Sequence, residues 1–381
     1  MLFLCINAGN AQDRNTDSFR NKKIALQFSY QYGYVFPTND FVRGNNAEAD
    51  TVDDFQSFAL KITKQTTGKK LWQQLYNYPE YGLGLYLADF YNPEEIGFPI
   101  AVHGYFTAPF FRGERLMLNY EFGLGMAFNW KNYSPSNPYN KAIGAKYTVY
   151  LDLGLKLEYR IYKQLSMDLG FSLTHFSNGN LKEPNYGLNT IAPKIGAKYN
   201  FNPEHLHFIE QEIRKYKKHN EWYVAVFGGL KNILYDSLNI DASEKFEGES
   251  YSVFGISTIF NRQISYKSKV GIGLDIAYDG SLNAQVAVDK GELDVHYAPF
   301  IENILVSAFP SYELEINRVS LIFQPSFYIY RKDTKNQSPA FYQRIGLKYN
   351  FYENLYMGIN LRAYHFSVSD FIEWNIGYRI K

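Results

Sequence analysis

The sequence predicts an all-β fold, a transmembrane antiparallel β-barrel of the outer-membrane type with about 16 strands in two related halves. Apolar and polar residues alternate with a period of two along most of the chain. The alternating runs are about ten residues or longer, which is the length that a tilted strand needs to cross a bilayer. The 381 residues include 34 Tyr, 30 Phe and 28 Gly, a composition typical of strands and turns. No unbroken apolar stretch approaches the ~20 residues of a spanning helix.

Residues 1–11 have the pattern of the end of a secretion signal. A short apolar run precedes small residues, with Gly9 and Ala11 at the cleavage positions. The only cysteine, Cys5, lies inside this segment. We therefore interpret residues 1–11 as a signal-peptide remnant and expect no thiol in the mature chain.

Residues 22–201 form the first predicted half, with about eight strands. In the run from Val149 to Tyr159, apolar residues occupy the odd positions, whereas Asp152, Lys156 and Glu158 occupy even ones. Aromatic residues such as Trp130 end several apolar faces, as in an interfacial girdle. The strands are predicted to begin near Ile24, Phe55, Tyr81, Phe98, Arg115, Tyr147, Leu165 and Gly187.

The connections between these strands predict an orientation. Short turns at 111–114 and 162–164 are typical of the periplasmic side, and longer polar loops at 37–53 and 131–145 are typical of the outside. With a periplasmic N-terminus, the seventh strand runs outward and ends at His175. This places the end of that strand at the outer leaflet.

A charged segment, 202–219, has no alternation and separates the halves; we interpret it as a periplasmic linker, with a short helix as the alternative. Residues 220–381 then predict about eight more strands. This second half looks like a degenerate repeat of the first, since residues 164–177 parallel residues 354–367. The pattern is compatible with one large 16-stranded barrel or with two small ones.

Two polar residues break the apolar outward face of the seventh strand at its end. The outward positions Leu165, Met167, Leu169, Phe171 and Leu173 continue in parity to His175 and Ser177. Ionisable side chains facing lipid are costly enough to indicate a function. A histidine and a serine about 7 Å apart along one strand face are the base and nucleophile that acyl transfer needs.

The segment from Thr174 to Asn189, THFSNGNLKEPNYGLN, resembles the lipid A 3-O-deacylases of the PagL type, which are small eight-stranded outer-membrane barrels. The matching elements are the His-aromatic-Ser-Asn motif and the Pro-Asn-x-Gly that follows it. The resemblance implies that Ser177 attacks an acyl ester and that His175 is the base. It also implies that Asn178, together with Gly179, stabilises the oxyanion.

The resemblance fails at the third catalytic residue, because Asn189 stands where these deacylases have a glutamate. An amide can still orient the imidazole, as in Cys-His-Asn enzymes. Asn189 also fits a second family: outer-membrane phospholipase A has a His-x-Ser-Asn-Gly stretch followed by a triad asparagine at this spacing. The sequence thus predicts a serine esterase acting on lipid A (lipopolysaccharide), with outer-membrane phospholipase A as the alternative.

The second half repeats the dyad as His365 and Ser367, with Asp370 close behind. No Asn-Gly follows, so we interpret this as a vestigial second site. A non-catalytic porin or structural barrel is the remaining alternative for the chain.

The proposed chemistry needs no metal and no cofactor, and we expect neither. The 39 basic and 38 acidic residues leave a net charge of +1, so nucleic acid is not an expected partner. The expected partners are lipid A or phospholipid in a bacterial outer membrane, and the sequence leaves protein partners open.

Overall fold

The computed structural model describes residues 23–202, 207–233, 238–246, 248–335, 338–365 and 368–380. The signal-peptide interpretation of residues 1–11 therefore lies outside the described residues. Almost all regular structure is antiparallel β-sheet, as the period-two pattern predicts. Among the described residues, no helix combines the length and the apolar character that a membrane span requires.

The first eight strands form one closed barrel. The predicted strand starts agree with the observed ones to within one residue. Strand β8 returns to β1, with Tyr199 opposite Leu26, and this pairing closes the wall. The strands are β1 Ile24–Val35, β2 Asp54–Gln65, β3 Glu80–Asp89, β4 Gly97–Arg112, β5 Leu116–Trp130, β6 Thr148–Arg160, β7 Leu165–Ser177 and β8 Leu188–Asn200.

The second eight strands close separately, through pairing of β16 with β9. The chain therefore forms two eight-stranded barrels, and the alternative of one large barrel is excluded. The strands are β9 His219–Lys231, β10 Tyr251–Gln263, β11 Ser268–Asp279, β12 Ile304–Ile316, β13 Val319–Tyr330, β14 Phe341–Asn350, β15 Leu355–Tyr364 and β16 Val368–Ile380.

Short helices occupy some of the connections. Helix α1 (Leu71–Leu75) joins β2 to β3, α2 (Ile240–Phe246) joins β9 to β10, and α3 (Ser281–Lys290) with a 3-10 turn (Phe300–Asn303) joins β11 to β12. Residues 207–218 of the linker contain no helix, so the alternative of a short helix there is wrong for the described part. The linker is instead held by contacts, since Ile209 N donates to Thr67 O at 2.8 Å.

The inward face of the first barrel is polar, with a cluster of ion pairs inside it. The carboxylate of Glu121 contacts the ammonium groups of Lys61, Lys194 (2.9 Å) and Lys156 (3.8 Å). All four side chains are buried. Such a charged cluster is tolerated because each ion has partners of opposite sign. The even positions of the strand from Val149 to Tyr159, predicted to be its polar face, point into this interior.

The inward face of the second barrel also carries buried ion pairs, with arginine in place of lysine. Arg344 pairs with Asp275 and with Glu373 (3.1 Å), and Arg362 pairs with Glu373 at 2.7 Å. All of these groups are buried. The interior of each barrel is therefore filled by side chains, as expected for barrels of about eight strands.

The outward faces carry exposed aliphatic and aromatic side chains. Leu169 and Phe171 on β7 are 63% and 62% exposed. The remaining strands of both barrels also carry exposed aliphatic or aromatic side chains. A continuous apolar band of this extent would cause aggregation in water and is stable in a bilayer. The fold is that of an outer-membrane β-barrel.

Candidate active site

The end of β7 positions His175 on the outward face because its neighbour Phe176 is anchored inside the first barrel. Phe176 is fully buried and packs against the rings of Trp130 and Tyr150, with centroids 5.1 and 5.6 Å away. Side chains alternate along a strand, so His175 faces outward. The predicted parity of this strand is thus observed up to His175.

The third predicted residue, Asn189, lies directly across from His175 in the β7–β8 pairing. The Nδ1 of His175 donates to the Oδ1 of Asn189 at 2.6 Å, and the Nδ2 of Asn189 donates to the Oγ1 of Thr38 at 3.3 Å. The second bond orients the amide so that its oxygen faces the imidazole. A histidine that donates through Nδ1 keeps the lone pair on Nε2, which is the atom that must accept a proton from a nucleophile.

Ser177 is the last residue of β7, two residues beyond His175 and on the same strand face. It is buried, with 6% of its surface exposed, whereas the outward parity alone predicts an exposed side chain. Strand β7 ends at Ser177, and the chain continues into the segment 178–187, which contains no strand. A serine two residues after an oriented imidazole is the candidate nucleophile for attack on an ester.

The predicted oxyanion residues form a tight turn immediately after Ser177. The backbone N–H of Asn178 donates to the Oδ1 of Asn185 at 2.9 Å, and the Nδ2 of Asn178 donates to the carbonyl of Lys182 at 2.7 Å. Gly179 has a φ of +64°, a conformation that glycine adopts without strain. Both kinds of donor on Asn178 are therefore engaged within the turn, and an oxyanion would have to compete with these acceptors.

Sequence reasoning did not assign a role to Asn185, the asparagine of the Pro-Asn-x-Gly element. Its side chain carries the bond that holds the backbone of Asn178, and its Nδ2 is buried with no hydrogen-bond partner among the described residues. An unpaired buried donor is costly, so this amide is ready to accept a partner beside the nucleophile. The signal in the sequence was the Pro-Asn-x-Gly element, which marks this asparagine without giving its role.

A groove of about 430 Å³ lies on the outward surface of the first barrel, below Asn189. In the β7–β8 register, Leu173 pairs with Ile191 and Phe171 with Pro193, so the groove begins about one pleat from the His175–Asn189 pair. The β1–β8 pairing is interrupted beside Pro193, between the Gln31–Lys194 and Tyr34–Ile191 pairs. The lining residues are Tyr32, Gly33, Tyr34, Asp53, Asp54, Phe171, Ile191 and Pro193.

The residues of the second predicted site have different surroundings. His365 is exposed, with a φ of +52°. Asp370 is buried and pairs with Lys231 at 3.2 Å, and it accepts a hydrogen bond from the hydroxyl of Tyr364 at 3.0 Å. Ser367 lies outside the described residues. Asp370 therefore has a structural role inside the second barrel.

No group of three or more metal-ligating side chains is assembled within the described ranges. His207, which lies in the linker, is exposed. His205, its neighbour in the sequence, lies outside the described residues.

Comparisons with known proteins agree with this division of the chain. Residues 56–198 match the family model described as lipid A 3-O-deacylase (PagL), and residues 220–381 match the model described as acyloxyacyl hydrolase, C-terminal domain. A search of curated proteins gave no match.

Solved structures of several outer-membrane proteins are similar to this chain. The crystal structure of the outer membrane enzyme PagL is 14% identical over 45% of this chain and 97% of that chain, with a TM-score of 0.29. The NanC porin is 5% identical over 94% of this chain and 99% of that chain, with a TM-score of 0.17. A mutant of the Rh. blastica porin is 11% identical over 94% and 99%, with a TM-score of 0.19.

Proposed function

We propose that this chain, which matches the lipid A 3-O-deacylase (PagL) model over residues 56–198 and the acyloxyacyl hydrolase C-terminal model over residues 220–381, is an outer-membrane serine esterase that removes an acyl chain from lipid A. The proposed catalytic residues are Ser177, His175 and Asn189, all in the first barrel and directed toward the outer leaflet. The observation that carries the proposal is the hydrogen bond from His175 Nδ1 to Asn189 Oδ1, made on the lipid-facing side of the barrel. A half-buried imidazole held by an amide on that side has no structural purpose in a simple barrel wall.

In the proposed mechanism, lipid diffuses laterally until an ester carbonyl lies over Ser177. The Nε2 of His175 accepts the hydroxyl proton as the Oγ of Ser177 bonds to the carbonyl carbon. The tetrahedral oxyanion is stabilised by amide donors of the turn that follows, from Gly179 and Asn185, and by a donor of Asn178 once the oxyanion displaces the acceptor that this donor now has. The protonated imidazole then returns its proton to the leaving sugar oxygen, and water releases the fatty acid from the acyl-enzyme by the same steps.

The groove beside the catalytic pair supports a substrate with a long acyl chain. Its walls are aromatic and aliphatic, from Phe171, Ile191 and the tyrosines of β1, and Ile191 lies two residues from Asn189 along β8. An acyl chain in this groove keeps its ester carbonyl near the end of β7. The groove also brings Asp53 and Asp54 to its polar end, within reach of a substrate headgroup.

The test of the proposed function is a comparison of the lipids of a Gram-negative host that expresses wild-type protein or Ser177→Ala. We expect mass spectrometry to find lipid A lacking its 3-linked hydroxyacyl chain only with the wild type. Accumulation of lysophospholipid instead would assign the activity to a phospholipase A, the alternative that the triad asparagine favours. If neither lipid pool changes while the protein is folded in the membrane, the proposed activity is wrong.

Substitutions at and beside Asn189 should change turnover to different extents. Asn189→Ala removes the acceptor that orients His175, and we expect turnover to fall about 100-fold because misplacement of a catalytic group by ~1 Å has that cost. Asn189→Asp keeps the acceptor and adds a negative charge that stabilises the imidazolium, so turnover should equal or exceed the wild type. Thr38→Val, which removes only the bond to the Nδ2 of Asn189, should cause a smaller loss. Steady-state kinetics in detergent give the measurement, and a wild-type kcat for Asn189→Ala would contradict the assigned role.

The filled interiors argue against the porin alternative. Glu121 and its lysines block the first barrel, and the Arg344–Glu373 cluster blocks the second. We expect no stable single-channel conductance in planar bilayers at neutral pH, whereas an open eight-stranded lumen would conduct in steps. Reproducible step conductance that is absent from lipid-only controls would show that these interiors open.

A further inference from the structure

Basic side chains surround the end of the second barrel at which β9 begins. They lie in the last part of the linker, near the end of β10 and in the turn between β12 and β13. All are exposed, and none forms an ion pair with another described residue. In the turns at this end, Glu353 is an exposed carboxylate. The basic residues are Arg214, Lys215, Lys217, Lys218, Arg262 and Arg318; we call them the basic rim.

The linker part of the basic rim is held against the barrel. The ring of Tyr216 packs edge-on against that of Tyr266 in the β10–β11 turn, with centroids 4.6 Å apart, and its hydroxyl lies 3.1 Å from His219 Nδ1. The hydroxyl of Tyr266 donates to the carbonyl of Arg214 at 3.3 Å. The backbone that carries the cations is thus fixed at both flanks of Tyr216, so little further ordering is needed when a ligand binds.

A band of exposed aromatic side chains marks the membrane boundary next to the rim. Trp222 is outward near the start of β9 and packs on Phe260, with centroids 4.9 Å apart. Other members lie near the same end of their strands: Tyr312, Tyr349 and Tyr378. Tryptophan and tyrosine prefer the level of the lipid headgroups. Lys218 precedes Trp222 by four residues, so the cations lie at or just beyond that level.

We propose that the basic rim binds the phosphodiester headgroups of anionic phospholipids in the leaflet at this end of the second barrel. Lysine and arginine side chains beside a bilayer are attracted electrostatically to anionic lipid, and each one adds to the binding free energy. Their long apolar stems pack on apolar surface such as the aromatic band. Inorganic phosphate has the same charge chemistry but lacks the acyl chains that would lie against Trp222 and Phe260. The rim therefore favours a lipid over a free anion.

The experiment uses the purified full chain in detergent, with lipid retention measured by native mass spectrometry. The probes are phosphatidylglycerol, phosphatidylcholine, purified lipid A and inorganic phosphate. We expect the wild type to retain phosphatidylglycerol about tenfold or more over phosphatidylcholine, and we expect the preference to weaken as salt rises. The variant with Arg214→Gln, Lys215→Gln, Lys217→Gln and Lys218→Gln should lose this preference and keep its esterase activity.

A charge-matched control separates the rim from net charge. Lys141→Gln, Lys146→Gln, Lys245→Gln and Lys290→Gln together remove the same charge from exposed sites in other connections, and this variant should bind as the wild type does. Equal losses in both variants, or unchanged phosphatidylglycerol retention in the rim variant, would overturn the proposal. So would lipid A or inorganic phosphate that displaces phosphatidylglycerol from the wild type at equal concentration. Heat-modifiable migration in gels confirms that each variant is folded.

Discussion

Purified protein carrying His175→Ala is expected to hydrolyse lipid A at least about 10⁴-fold more slowly than the wild type. The imidazole of His175, which the 2.6 Å bond to Asn189 orients, is the base that we propose for Ser177. Without it, the serine hydroxyl has no proton acceptor. Ser177→Ala should cause a loss of similar size.

Groups that act as one unit are not additive, so the double variant with His175→Ala and Ser177→Ala should be no slower than either single one. The matched control is His365→Ala, which removes the exposed histidine of the second predicted site. If that site is vestigial, its loss leaves the rate unchanged. Independent, multiplicative effects of the two first-barrel substitutions would instead show that His175 and Ser177 do not form one catalytic unit.

The second large effect is on stability and concerns Glu121. Glu121→Ala leaves Lys61, Lys156 and Lys194 facing each other inside the first barrel without their shared carboxylate. Breaking a buried ion cluster by removing one partner costs about 3–5 kcal/mol. The Oγ1 of Thr107 would also lose the acceptor to which it donates at 3.0 Å. We expect the free energy of unfolding of the full chain in urea, measured with lipid vesicles, to fall by this amount.

Two further variants test whether the loss of stability comes from the buried charge of Glu121. Glu121→Gln keeps the shape and some hydrogen bonds but removes the charge, so its loss should lie close to that of Glu121→Ala if charge is the cause. Glu114→Ala removes an exposed carboxylate from the β4–β5 turn and should change the free energy of unfolding by less than about 0.5 kcal/mol. Equal effects of the Glu114 and Glu121 substitutions would show that the cluster does not stabilise the barrel.

The strands and their faces could be predicted from the sequence because alternation is a local property. The run from Leu165 to Leu173 shows which side chains face lipid, and it extends correctly to His175. The partner of an end strand is not local: nothing near Tyr199 indicates that it pairs with Leu26 rather than with a strand of the second half. For this reason the sequence left one barrel and two barrels equally open.

One part of the candidate site could likewise be predicted from the sequence, and the other part could not. The facing positions of His175 and Asn189 follow from strand parity and a returning strand, and both were named from the sequence. The turn from Asn178 to Asn185 has no repeating pattern, so the bonds that engage Asn178 could not be predicted. The groove depends on Pro193 meeting a neighbouring strand that is far away in the chain, and that meeting is visible only once β8 is paired with β1.

Because each barrel closes separately, such a chain can arise by the joining of two genes, and each barrel can then evolve on its own. In each set of eight strands, the last strand returns to the first, so neither set leaves an edge of unpaired backbone groups that the other must cover. A gene that joins two such units end to end needs only a connecting segment and no new strand pairing. The barrel that carries the candidate site and the other barrel can therefore accumulate substitutions independently.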